Sequence, residues 1–195
     1  MKYSDLVKYK NGGGLEVNER TLSLKSAGLA DAQIGSYAIT AAADHNAAKL
    51  LGAKVLKLGR ADAGTGMWVP YIPNRTVYDY LSGAQTWAAS GPFSGCYIEV
   101  GQKDGKVYVA HISCESRDDP NVAAWGDVLP GRTVLFSAKM SMSGNLPAGT
   151  TNAAAVVFAS VAGGAVEVTR VDVQTLSAGG MTGPIFDVQK VANQK

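Results

Sequence analysis

Ser94-Gly95-Cys96-Tyr97-Ile98-Glu99-Val100-Gly101-Gln102, then Lys103-Asp104-Gly105-Lys106, then Val107-Tyr108-Val109-Ala110-His111-Ile112-Ser113-Cys114 follow one another near the middle of the chain. Two runs of alternating apolar residues flank Asp104-Gly105, a dipeptide that readily takes the left-handed backbone of a tight turn. The spacing predicts a β-hairpin in which Lys103 faces Lys106, Ile98 faces His111 and Cys96 faces Ser113. Side chains alternate between faces, so Cys96, Ile98 and Val100 share one face with Val107, Val109, His111 and Ser113. Cys96 and His111 become diagonal neighbours, with backbones about 7–8 Å apart and side chains closer. By the same parity Cys114 points to the opposite face. Its Cβ vector diverges from that of Cys96, which disfavours a disulfide.

Outward from the hairpin, most segments read as strands: Thr21 to Leu24, Lys54 to Leu58, Met67 to Pro73, Arg132 to Met140, Ala154 to Val161, Ala165 to Gln174 and Pro184 to Val191. Gly-rich turns at Gly163-Gly164 and Gly179-Gly180 separate the last three. Short helices are expected after Asp44, through His45 to Leu51, and from Pro120 to Trp125, each with a carboxylate at the cap. Asn74 to Ala89 is ambiguous, since Thr76 suits a helix cap and Ser82-Gly83 interrupts one. Residues 1–20 read as a flexible arm, because Gly12-Gly13-Gly14 breaks local structure between charged flanks. Residues 21–195 form one domain. The expected class is α+β and β-rich, a two-layer β sandwich with a few flanking short helices.

Composition narrows the function classes. The chain has 195 residues, 46% hydrophobic and 17% charged, enough for a single core without staples. Its 23 glycines suit many turns. A net charge of +2 with no dense basic stretch gives no ground for nucleic-acid binding. No apolar run is long enough for a membrane span, and the N-terminus lacks the core of a cleavable signal. Two cysteines and two histidines do not make a metal cluster, so no metal and no cofactor are expected. His45 reads as a solvated or capping residue. Trp68, Tyr71 and Ile72, near prolines, are either a protein-docking surface or the cap of a core.

Cysteine and histidine on one face carry a definite chemistry. A free thiol ionises near pH 8.5, and a neighbouring imidazole promotes the thiolate. The thiolate attacks a carbonyl carbon, and the imidazolium protonates a leaving amine. Backbone N–H groups at Gly95 and Cys96 are candidates for an oxyanion hole, with Gly95 allowing a sharp turn into the nucleophile. The competing reading is a core cysteine and a core histidine that meet on one hairpin without function.

Phe93-Ser94-Gly95-Cys96, followed fifteen residues later by His111, resembles the Leu-X-Gly-Cys and downstream-His signature of the cysteine glutamine deamidases. That superfamily includes the cytotoxic necrotizing factor catalytic domains and Burkholderia lethal factor-like toxins. Phe93 stands where the family has leucine. The resemblance implies a β sandwich with flanking helices, Cys96 as nucleophile and His111 as general acid/base. It also implies that the backbone carbonyl of Ser90 orients the imidazole, at a position where threonine is usual. The implied activity is that of a secreted toxin or virulence effector, a hydrolase converting a glutamine of a target protein to glutamate. Such an effector would reach the target-cell cytosol without a cleavable signal and work as a monomer on a host regulatory protein. A non-enzymatic β-sandwich binding or adhesion module is the alternative, and a cysteine protease or transglutaminase shares the same nucleophile.

Overall fold

The computed structural model describes residues 1–10, 12–17, 32–34, 37–44, 54–114, 120–142, 144, 146–176 and 180–191. The expected strand at Thr21–Leu24 and the expected helix from His45 lie outside them.

Thirteen strands are described: β1 Gly13–Val17, β2 Ala32–Ile34, β3 Tyr37–Asp44, β4 Lys54–Arg60, β5 Gly66–Pro70, β6 Thr76–Tyr80, β7 Trp87–Phe93, β8 Tyr97–Lys103, β9 Lys106–Ile112, β10 Thr133–Lys139, β11 Ala153–Ala162, β12 Ala165–Gln174 and β13 Gly183–Lys190. Helix α1 spans Tyr3–Leu6 and α2 spans Pro120–Val128. The strands form two packed sheets with few helical residues, the β-rich sandwich expected from the sequence. One sheet goes further and closes into a barrel, β1-β13-β12-β11-β7-β5-β3-β4. The other is open, in the order β10-β8-β9-β6-β2.

Alternation along the strands sorts the core into three layers. Leu15, Leu58, Trp68, Ala89, Val156, Phe158, Val171 and Val188 come from strands all round the barrel and fill its interior, with Leu6 of α1 among them. Their neighbours in sequence, Met67, Val69, Ala88, Ala155 and Val157, face outward. There they meet Val77, Ile98, Val100, Val109 and Phe136 of the open sheet, which makes the sandwich interface. On the far side of the open sheet, Tyr78, Tyr108, Ala110 and Ile112 pack against Trp125 and Leu129, at and just beyond α2. A buried polar knot fastens that helix: Glu99 Oε1 accepts hydrogen bonds from Tyr108 Oη at 2.7 Å, Trp125 Nε1 at 2.8 Å and Arg132 Nε at 2.9 Å.

Of the expected arm of residues 1–20, the described residues 1–10 and 12–17 are built into the fold instead. Leu6 is fully buried, and β1 pairs with β4 in parallel and with β13 antiparallel to complete the barrel. Of the glycines read as breakers, Gly13 provides clearance, since a Cβ on it would sit 2.5 Å from the Tyr9 carbonyl oxygen, whereas Gly12 has open space around it and a φ of +73°. The ambiguous stretch after Asn74 resolves as β6, in which Val77 and Tyr78 face opposite layers. Among the described residues no helix is long and apolar enough to cross a membrane.

Candidate active site

The hairpin forms with the register expected from its turn. Asp104 and Gly105 both take positive φ, and β8 and β9 pair Lys103 with Lys106, Gln102 with Val107 and Ile98 with His111. His111 therefore projects from β9 into the sandwich interface, toward the barrel wall. Cys96 lies two residues before Ile98, just ahead of β8, and packs in the same layer as Phe93, Ile98 and Val109. Its backbone is tied down by the Met140 N–H, which donates to the Cys96 carbonyl at 2.8 Å. Gly95 has φ of +139°, a region that side-chain-bearing residues avoid, and this makes the turn into Cys96. Neither cysteine forms a disulfide.

The imidazole is held by residues of the barrel wall. Ser90 and Phe93 are three apart on β7 and in a regular strand would face opposite ways. The pairing with β11 slips between them: Ser90 opposes Val157, whereas Phe93 opposes Ala155. This irregularity, at Gly91-Pro92, gives β7 one extra residue and resets the alternation. Both side chains consequently reach His111. Phe93 stacks on the ring, with centroids 4.0 Å apart and planes 6° from parallel. Ser90 Oγ lies 2.7 Å from His111 Nδ1. Tyr71, in the Pro70-to-Pro73 segment after β5, adds a tilted contact at 5.2 Å between ring centroids.

The hydrogen-bond network assigns the tautomer. Ser90 has one hydroxyl proton, and it goes to the Val69 carbonyl at 2.5 Å. Ser90 Oγ must then accept from His111, which places the imidazole proton on Nδ1. His111 Nε2 is left with its lone pair, buried and without a hydrogen-bond partner among the described residues. Burial alone pushes the His111 pKa down to about 3, so the ring is neutral at physiological pH. Nε2 is thus the ring nitrogen that carries the lone pair, and burial in this state opposes its protonation.

The resemblance assigns the orienting role to the Ser90 carbonyl, but the contact to His111 is made by the hydroxyl. The sequence did not single out Phe93 as a stacking platform, and it left Tyr71 between docking and core capping. Neither contact is visible without the slip in β7 and the packing of two sheets. Lys139 borders the turn: its Cε lies 3.7 Å from where a Gly95 Cβ would be, and its ammonium sits 6.0 Å from the Tyr97 ring centroid. This places a positive charge beside the Gly95-Cys96 backbone. Glu99 and Asp104 lie away from the imidazole, in the knot at α2 and in the hairpin turn. No group of three or more potential metal ligands occurs among the described residues.

No family model matches the chain, and no curated protein matches it. Among solved structures it is similar to the C-terminal domain of CNFy from Yersinia pseudotuberculosis, at 12% identity and a TM-score of 0.30, over 80% of this chain and 71% of that one.

Proposed function

We propose that the chain is a cysteine-dependent protein-glutamine deamidase of the toxin or effector kind. The observation that carries this reading is the state of His111. Its Nδ1 proton is committed to Ser90, and its Nε2 lone pair is unengaged on the hairpin face that holds Cys96.

In the proposed reaction Nε2 takes the Cys96 thiol proton, and the sulfur attacks the carboxamide carbon of a glutamine side chain. The charge that develops on the amide oxygen is met by backbone N–H groups near Gly95 and Cys96, with the Lys139 ammonium nearby. The imidazolium returns its proton to the departing nitrogen, and ammonia leaves a thioester on Cys96. Water, deprotonated at Nε2, attacks that thioester, releasing the glutamate and restoring the thiol. The target exchanges a neutral amide for a carboxylate, and no cofactor takes part.

A second reading, the non-enzymatic binding module, draws support from burial. Cys96 is 5% exposed and His111 1% exposed, as core residues would be. A proteome-wide comparison separates the readings. Lysate treated with the wild-type chain, with Cys96→Ser or with His111→Ala is digested and searched for glutamines that gain about one dalton, the mass change of replacing an amide by an acid. The proposal expects such a glutamine only with wild type. Chain cleavage would assign a protease, amine incorporation a transglutaminase, and no change the binding module.

A further inference from the structure

The buried pair sets a problem of access, because a glutamine side chain must reach groups that solvent barely touches. Three side chains hold the imidazole: Ser90 on Nδ1, Phe93 on one ring face and Tyr71 at a tilt. Ser90 and Phe93 are fully buried and belong to the barrel wall, where motion would disturb two strands. Of the three, only Tyr71 is part-exposed. It lies outside any strand, between the end of β5 and the turn at Pro73-Asn74 that leads into β6. Pro70 and Pro73 fix their own φ and restrict the residues before them, so the backbone there is stiff. Displacement at this place falls to the Tyr71 side chain, which packs against the sandwich core and must exchange those contacts when its rotamer changes, a motion faster than that of a loop.

We infer that Tyr71 is a side-chain gate over His111, and that a target's glutamine enters by displacing its ring. The inference about the glutamine rests on the deamidase reading; the gate itself does not. In the closed state the ring excludes water from the imidazole. In the open state Nε2 and Cys96 meet the incoming carboxamide, and the target's own surface takes over the exclusion of water. Specificity follows, because only a glutamine presented by a segment that also occupies the place of the Tyr71 ring reaches the thiol.

The test reads access without any substrate. Diethyl pyrocarbonate acylates an unprotonated imidazole nitrogen, and peptide mass spectrometry resolves the His111 peptide from the His45 peptide. A gate open in a minor fraction of molecules slows acylation in proportion, so Tyr71→Ala is expected to speed His111 acylation about ten-fold or more. Tyr71→Phe, which retains the ring, is expected to leave the His111 rate near that of wild type, and His45 is expected to react alike in all three. An unchanged His111 rate in Tyr71→Ala, or acceleration by Tyr71→Phe as large as by Tyr71→Ala, overturns the gate. If Tyr71→Ala loses its cooperative melt, Tyr71→Leu, which keeps apolar bulk without the ring, is judged by the same criteria. Because no glutamine takes part, a missing deamidase activity does not affect this result.

Discussion

Ser90 of the barrel wall and His111 of the open sheet share a 2.7 Å hydrogen bond across the sandwich interface, and its direction fixes which imidazole nitrogen is basic. The two residues belong to different sheets, so the proposed chemistry depends on how the sheets pack. Removing the serine hydroxyl leaves the Nδ1 proton buried without an acceptor. Ser90→Ala is therefore expected to destabilise the fold by about 1–3 kcal/mol, measured by urea denaturation. Nitrogen-15 NMR of His111 should change from a single Nδ1–H tautomer to a mixture. Retention of the wild-type tautomer would show that Ser90 does not set it.

The buried imidazole couples stability to pH. His111 has a pKa of about 3 in the folded chain against an ordinary value of 6.5. Between those values the unfolded state binds more protons than the folded state, so stability falls as pH drops through the window. The slope approaches roughly 1.4 kcal/mol per pH unit. Asp5, Glu167 and Asp187 have lowered pKa values, so their contributions are lost only at more acid pH, in the carboxylate range. The urea midpoint of wild type should therefore decline between about pH 6.5 and pH 5, while that of His111→Gln stays flatter over the same range. Parallel declines in the two proteins would refute the coupling.

Gly95 has room for a side chain but not the backbone for one. The nearest atom to an added Cβ is Lys139 Cε at 3.7 Å, yet φ is +139°. Gly95→Ala is expected to cost about 1–3 kcal/mol through strain and to rotate the Gly95-Cys96 peptide. Cys96 alkylation by iodoacetamide should change by more than that of Cys114, since the strain acts on the adjacent peptide. Equal changes at both thiols would point to general loosening.

The knot at α2 gives a contrasting case. Glu99→Ala strips a buried acceptor from Tyr108, Trp125 and Arg132 and should cost about 3 kcal/mol in urea denaturation. Glu99 lies on the face of the open sheet turned away from His111. The acylation rate of His111 should therefore stay within about two-fold of wild type, as expected for a site separated by a sheet. A larger change would mean that the knot and the site are coupled.

The parts of this structure legible in the sequence are local. Asp104-Gly105 set the hairpin register, and parity then placed Cys96 in one layer with Ile98 and Val109, on the face from which His111 projects. The parts that were not legible depend on distant partners. Gly13 looks like a breaker until Tyr9 is seen folded against it. Ser90 and Phe93 share a target only because β7 slips against β11 at Gly91-Pro92. The hydroxyl of Ser90 acquires its role from Val69 and His111, each on another strand and neither close to it in sequence.

β1 is the stave that turns a curled sheet into a tube. Trimming through Val17 would leave β4 and β13 each with a bare row of amides and carbonyls on one molecule, two complementary rims facing outward. Molecules so trimmed could add to one another head to tail, and clouding of the solution would then precede any loss of the hairpin and its histidine.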